Sequence, residues 1–429
     1  MPKFQAPRGT RDLLPSQKAT FGRLETLAAD LARRYGYRPI ETPLFEDAAV
    51  FERAIGNATD VVEKELFRIL SPTEAEPRWA LRPEATAGIV RAYVEHGLQT
   101  LPQPVRFSSF GPMFRYDRPQ AGRFRQFWQW NVEAIGDPGP AIDAEIVELG
   151  VRFLREAGAT DVQVHLNSIG DAECRPGYVA ALSEYLAKSA DRLPEMERAR
   201  ASISPLRVLD SKDPNLAALI AGAPLIGDFL CAACRTHYAG LRRHLDALGV
   251  PVGEAPRIVR GLDYYTRTTF EYFVRGAEGS QQALGGGGRY DGLVELLGGR
   301  PTPGIGFALG IDRVAMIAEA ASGPVEPARP VVVVVGANPE ATDVRLRIAT
   351  DLRAAGIAAS ADLAPRKLSR QLEGAARDGA HFAVVVGDEL DAGQVQLRDL
   401  EAGTQKLVNA DGLAREIARA QGSHRHGSA

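Results

Sequence analysis

Phe114-Arg115-Tyr116-Asp117-Arg118-Pro119-Gln120-Ala121-Gly122-Arg123-Phe124-Arg125-Gln126-Phe127-Trp128 is the stretch on which the fold turns. Strand-like runs flank its centre, Val105 to Arg115 before and Arg125 to Ile135 after, and Pro119, Ala121 and Gly122 separate them. This spacing predicts a long β-hairpin. Arg115, Arg118, Arg123 and Arg125 stand on its arms and tip against the single acid Asp117. Runs of charge are common on solvated faces. Here, however, the arginines interleave with Phe114, Phe124, Phe127, Trp128 and Trp130, and a planar aromatic beside guanidinium groups is what a purine and its phosphates require.

Working outward, Phe21, Leu24, Leu27, Ala28 and Leu31 recur at helical spacing after Ser16, so a helix capped by Ser16 is predicted over Ser16 to Arg34, with Gly36 as its stop. Tyr37 to Leu44, with Pro39 and Pro43, reads as extended. A second helix is predicted over Leu81 to Gly97, with Pro83 in its first turn. Val162 to Leu166 alternates as a strand. Residues 172 to 250 are Ala/Leu-rich, mostly helical and broken by prolines, while strand-like and Gly-rich patterns resume from Ile258 to Gly310. The segment from Ser322 to Pro330 carries three prolines and reads as a linker. Beyond it Val331 to Val335, a helix around Arg345 to Ala355, Gln371 to Arg377 and Phe382 to Val386 alternate as in a small α/β domain with at least part of its sheet parallel. The tail from Gly422 to Ala429 is expected to be disordered. The resulting division is 1–170 and 251–325 for a split core, 171–250 for an insertion, 326–421 for the α/β domain and 422–429 for the tail.

The chain has 429 residues, enough for about three domains at a typical size of ~150. Lys and Arg number 51 against 54 Asp and Glu, so the net charge is −3 and any nucleic-acid site must be local. Three cysteines argue against a disulfide framework and for a reducing cytoplasm. No apolar run suffices to span a bilayer, and Met1 to Gln5 has no signal character, so a soluble, untargeted protein without membrane partners is expected.

Two Gly-rich stretches follow the predicted insertion. Gly285 to Gly288, before Arg289-Tyr290-Asp291, reads either as a flexible turn or as backbone that wraps a small substrate. Gly304 to Gly310 alternates glycine with apolar residues before Ile311-Asp312-Arg313, which lets another element or a ligand come close. Taken in order, Pro43, the Phe114–Asp117 hairpin and the stretch ending at Arg313 resemble the three signature motifs of class II aminoacyl-tRNA synthetases. Arg260-Gly261-Leu262-Asp263-Tyr264-Tyr265 and Ala283-Leu284-Gly285 through Leu293 look like the two histidine-specific motifs of histidyl-tRNA synthetases. Arg82-Pro83-Glu84-Ala85-Thr86 and Gln129 through Glu133 match the same family, and the similarity runs from Arg8-Gly9-Thr10 into the C-terminal domain. Asp117, Ala85 and Trp128 stand where the family usually has Glu, often Gly, and usually His.

That resemblance implies an α+β catalytic domain, a class II antiparallel sheet flanked by helices, with a mostly helical insertion and a C-terminal α/β anticodon-binding domain. It implies ATP-dependent ligation of L-histidine to histidine tRNA through a histidyl-adenylate, using ATP with Mg2+ and no tightly bound organic cofactor, by a cytoplasmic homodimer. By resemblance Arg115 and Arg260 are catalytic at the α-phosphate. Arg115, Asp117, Arg123, Phe127 and Arg313 bind ATP, and Glu84, Thr86, Gln129, Glu133, Tyr264, Tyr265 and Tyr290 bind histidine. Arg118 and Gln120 meet the acceptor end of the tRNA. The competing reading is the non-catalytic regulatory subunit of histidine biosynthesis that resembles this family, from which the complete 331–421 domain and Arg115, Arg260 and Arg313 argue away. Arg366, Lys367 and Arg370 are candidates for tRNA contact. No metal site is expected beyond a weak zinc candidate of Cys174, Cys231, Cys234 and His237, since the chain has no second CxxC pair.

Overall fold

In a computed structural model, the residues described are 4–56, 59, 61–70, 78–118, 122–211, 213–258, 264–274, 283–326, 331–336, 338 and 341–426. Two compact units divide at Val325 and Glu326. Among the described residues no single helix is long and apolar enough to cross a membrane.

The first unit opens with α1 (Pro15–Arg34), whose buried stripe is Phe21, Leu24, Ala28 and Leu31. Its cap is Leu14 rather than Ser16: the Leu14 N–H donates to the Gln17 side chain, and Pro15 supplies the pre-set first turn. β1 (Arg38–Pro39) follows, then β2 (Phe45–Asp47), α2 (Ala48–Ile55), β3 (Arg68–Ile69) and β4 (Trp79–Leu81). β4 lies between β2 and β3 in a small antiparallel sheet. The helix expected from Leu81 therefore begins later, as α3 (Thr86–Glu95), because pairing to β2 and β3 holds Trp79–Leu81 extended and Pro83 sits in the connection. Glu84 takes over the start of α3, accepting from the N–H groups of Thr86 and Ala87 at 2.9 and 2.8 Å.

The hairpin forms as read: β5 (Val105–Phe114) pairs antiparallel with β6 (Gln126–Ile135) along its whole length. α4 (Pro140–Glu156) and β7 (Val162–Ser168) lead into the helical segment α5 (Arg175–Lys188), α6 (Glu195–Ile203), α7 (Ala217–Gly222) and α8 (Ala232–Ala247), which builds its own core from Leu182, Leu186, Val208 and Leu219. The chain returns through β8 (Val252–Glu254), β9 (Thr266–Val274), β10 (Gly285–Arg289), α9 (Leu293–Leu296), β11 (Gly304–Gly310) and α10 (Ile311–Ser322). The large sheet has the order β1-β5-β6-β11-β10-β9-β7-β8; its inner pairings are antiparallel, and only the outermost, β1·β5 and β7·β8, are parallel. One face packs Trp130, Val132, Phe307 and Phe270 against α1, α4 and α10; the other faces α2, α3 and α9.

The four glycines at 285–288 are thus not a flexible turn but a central strand. A Cβ on Gly287 would lie 2.0 Å from the Gly306 carbonyl oxygen, so only glycine allows β10 to run this close to β11.

The second unit holds β12 (Val332–Gly336), α11 (Thr342–Ala354), β13 (Ala359–Ala361), α12 (Leu368–Arg377), β14 (Phe382–Val386), β15 (Gln394–Asp399), β16 (Gln405–Asn409) and α13 (Leu413–His426). β12, β13 and β14 are parallel, and β15 and β16 are added antiparallel. Val332 and Val334 pack toward α11 and α13, Val333 and Val335 toward α12, which is why the run reads as continuously apolar. α13 continues to His426, through most of the tail expected to be disordered.

Candidate functional site

Strand parity decides the site. On β6 the even residues Trp128, Trp130, Val132 and Ala134 join the helical core, while Phe127, Gln129 and Glu133 line a cleft of about 1000 Å³ on the other face, a volume that includes its open mouth. On β11 the small residues Gly306, Ala308 and Gly310 stand beside Glu133, Asn131 and Gln129. A Cβ on Gly306 would lie 1.8 Å from Glu133 Oε2, so the alternate glycines leave room for the carboxyl groups in the cleft.

The closed end of the cleft is a cluster of acids and hydroxyls. Glu133 is buried; Thr86 Oγ1 donates to its Oε1 and Tyr290 OH to its Oε2, each at 2.6 Å. Burial, opposed by these two bonds and aided by the neighbouring Glu84, pushes its carboxyl up to about 8. Burial raises Glu84 as well, against its backbone donors, and Tyr264 OH reaches its Oε2 at 3.4 Å. Neither carboxyl forms an ion pair with a basic side chain among the described residues, and Gln129 Oε1 is buried with no hydrogen-bond partner among them. Tyr265 packs its ring 4.7 Å from that of Tyr264, and its carbonyl accepts from Arg175 at 2.6 Å. Acids buried together with no ion pair among the described residues make a region that favours a ligand bringing positive charge or N–H donors.

The open end is cationic. Arg115 lies over the Phe127 ring at 5.5 Å and donates to the Pro83 carbonyl at 2.8 Å. Arg123 pairs with Asp117 at 2.7 Å, and Arg313 donates to the Ala283 carbonyl at 2.6 Å. Burial and the nearby Arg123 lower the pKa of Arg313. Asp312 supports this end from below: it accepts from the Trp128 backbone N–H at 2.8 Å and from Arg11 at 2.7 Å, and Arg11 stacks on Phe124 at 4.1 Å. An aromatic face flanked by arginines fits a nucleotide triphosphate.

All twelve residues expected to bind ATP or histidine line this one cleft; Arg260, expected to be catalytic, lies outside the described residues. Gln120 also lies outside them; Arg118 is exposed and does not line the cleft. Phe124 and Leu284, read above only as parts of motifs and given no role, and Asp312, which adjoins Arg313, line it as well. Trp128 faces away, packed edge-on against Phe21 at 6.1 Å with Lys18 over its ring at 5.1 Å, so its role is packing. In the second unit Arg366 pairs with Asp362 and Arg370 with Glu373, both exposed.

The zinc candidate needs correction. Cys174, Cys231 and Cys234 converge, but His237 turns instead toward Asp143, with Nε2 3.6 Å from Oδ2. Burial and then the charges of Arg289 and Arg267 push His237 down to about 4. The fourth member of the cysteine group is Asp171.

Comparison with known proteins gives one consistent answer. The histidyl-tRNA synthetase family model matches residues 9–314 and the anticodon binding domain model matches 331–420. The chain is 44% identical over 415 residues to the histidine–tRNA ligase of Desulforudis audaxviator, covering 96% of this chain and 98% of that protein. It is 45% identical over 410 residues to the Rhodococcus erythropolis ligase, covering 95% and 96%. The structure of apo S. aureus histidyl-tRNA synthetase superposes with a TM-score of 0.79 at 32% identity, covering 96% of this chain and 99% of that one.

Proposed function

Since the chain belongs to the histidyl-tRNA synthetase family and ligates histidine to histidine tRNA at the expense of ATP, we propose that both chemical steps take place in the cleft between β6, β10 and β11. The observation that carries this reading is the polarity of the cleft, with acids and hydroxyls at the closed end and arginines over an aromatic ring at the open end.

Histidine enters first, its α-ammonium toward Glu84, Thr86 and the unpartnered Gln129 Oε1, and its imidazole toward Glu133, Tyr264, Tyr265 and Tyr290. Adenine lies on Phe127, with Asp117 as an acceptor near its edge. Arg115 holds the α-phosphate, and Arg123 and Arg313 the outer phosphates, whose Mg2+ arrives as part of the nucleotide substrate. The histidine carboxylate attacks the α-phosphorus, the bond to the bridging oxygen breaks, and pyrophosphate leaves with the electron pair. Negative charge grows on phosphate oxygens in this step, so fixed cations are the expected catalysts. Arg260 joins them by resemblance. A ribose hydroxyl at the tRNA 3′ end then attacks the adenylate carbonyl and AMP departs. Buried hydrogen bonds to an imidazole discriminate strongly enough that no editing step is needed.

Residues 326–421 bind the anticodon, 171–250 form an insertion, and the active species is a cytoplasmic homodimer whose interface includes α1 and the edge strand β1. A histidine-binding regulatory subunit would not need the three arginines that line the open end. The test is amino-acid-dependent ATP–pyrophosphate exchange across the standard amino acids. Exchange with histidine alone, strongly reduced in Arg115→Ala, is expected; exchange with another amino acid, or none by the wild type, would refute the reading. Light scattering should give twice the chain mass of 46.2 kDa, and a fully active monomer would remove the dimer.

A further inference from the structure

Three thiols and a carboxylate meet at the foot of the helical segment, far along the chain from the cleft residues of β6. We propose that Asp171, Cys174, Cys231 and Cys234 bind a structural zinc ion. The donor atoms all lie within 4.8 Å of one another. Cys174 Sγ is 3.8 Å from Cys234 Sγ and 3.4 Å from Asp171 Oδ1, and Cys231 Sγ is 3.9 Å from the same oxygen. A tetrahedral zinc with bonds of about 2.3 Å to thiolate and about 2.1 Å to carboxylate sets edges of about 3.8 Å between sulfurs and about 3.6 Å from sulfur to oxygen. The three edges given are already close to those lengths.

The local frames repeat as well. Each pair of donors is spaced i, i+3, and each sits at the start of a helix: Cys174 is the N-cap of α5 and Cys231 the N-cap of α8. A backbone N–H points at a sulfur in both frames, Asp171 N–H to Cys174 at 3.2 Å and Cys234 N–H to Cys231 at 3.5 Å. Amide donors and helix starts favour thiolates. Arg267 donates to Asp171 Oδ2 at 3.2 Å, as a partner behind a ligating carboxylate should, while Oδ1, which also accepts the Glu173 N–H at 3.1 Å, keeps a second lone pair toward the sulfurs. Three thiolates and one carboxylate outweigh a divalent charge, and Arg267 offsets part of the excess. Sulfur donors in a tetrahedron select zinc over magnesium or calcium.

Such an ion would tie together donors 60 residues apart and so close the base of the helical segment. It would also buttress the cleft. Arg175, next to Cys174, donates to the Tyr265 carbonyl, and Arg267, two residues beyond Tyr265, exchanges backbone bonds with Ile169 and Gly170 at 2.7 Å. Arg267 itself holds a left-handed φ of 51°, a strained conformation for a side chain of its size that the carboxylate of Asp171 helps to fix.

The test uses the full chain, purified with reductant from zinc-containing medium. Elemental analysis should find about one zinc per chain. The chelator-stripped wild type titrated with Co2+ should develop thiolate charge-transfer and tetrahedral d–d absorption. Cys231→Ser and Asp171→Ala should lose or weaken that spectrum by at least tenfold in affinity, while His237→Gln leaves it unchanged and Asp171→Cys retains it with more intense charge transfer. Absence of a cobalt spectrum in the reduced wild type overturns the proposal whatever the variants do. So does a Cys174–Cys234 disulfide accompanied by no metal, or a metal that follows His237 and ignores Asp171.

Discussion

The two ends of the cleft are built on opposite principles. At the closed end every carboxylate oxygen of Glu84 and Glu133 already has a protein donor, from Thr86, Ala87 or Tyr290, so the shape exists before any ligand arrives. At the open end Arg115 and Arg313 each spend one donor on a backbone carbonyl and Arg123 leans on Asp117, so among the described residues most of their donors stay available for the phosphates proposed to lie there. The difference suits the two tasks proposed for these ends. Telling an imidazole from its isosteres requires buried, directed hydrogen bonds; stabilising a phosphorus transition state requires charge that strengthens as the reaction proceeds.

If that contrast is right, variants at the two ends should separate in kinetics. Arg115→Ala should cost the most, ~10²-fold or more in kcat of histidine-dependent pyrophosphate exchange, with the KM for histidine changed little. A loss confined to KM would put Arg115 in binding rather than catalysis. Glu133→Gln should lower kcat/KM for histidine by ~10-fold or more, the size expected of a hydrogen bond to a charged group, and Tyr264→Phe should cost less. Equal small losses would move the imidazole elsewhere.

Glu133→Gln also sharpens the comparison through stability. A carboxyl raised to about 8 from its ordinary 4.5 is held as the acid in the unliganded fold, so its contribution is full below about pH 4.5 and drains away as pH rises through about 8. Glutamine has no such loss. The melting temperature of the variant relative to wild type, measured without histidine, should climb between about pH 5 and about pH 8 and then level off. A flat difference over that range would mean that Glu133 is already ionised in the empty cleft.

Smaller effects are expected away from both ends. Trp128→Phe, on the reverse face of β6, should lose about 1 kcal/mol of stability by denaturant unfolding and leave pyrophosphate exchange within about twofold. A large kinetic defect would place Trp128 in the reaction despite its direction. Arg118→Ala should spare pyrophosphate exchange and weaken only tRNA charging, with the salt dependence of tRNA affinity shallower by about one unit of slope. An unchanged slope would free Arg118 from any phosphate contact.

The hairpin was legible because period-two alternation and a Pro/Gly break need no knowledge of distant residues, and β5 and β6 form where the pattern puts them. The start of α3 was not, because Pro83 reads as a helix start while the pairing of Trp79–Leu81 with β2 and β3 comes from residues far along the chain. Asp171 went unnoticed for a similar reason. A single aspartate three residues before a cysteine carries no signal of its own, and only the meeting of α5 and α8 brings it to Cys231 and Cys234.

The sequence by itself determined which chemical groups the protein owns and in what order: the arginine-aromatic hairpin, the acids and tyrosines, the alternating glycines, the separate α/β unit. Only the tertiary structure decided which of them share a space. Register between β6 and β11 sends Glu133 and Gln129 to one face and Trp128 and Trp130 to the other, and a one-residue slip would exchange the two sets. That register is a long-range property, set by apolar burial against α1, α4 and α10 on one side and by the absence of side chains at Gly306 and Gly310 on the other, and no local pattern in the chain encodes it.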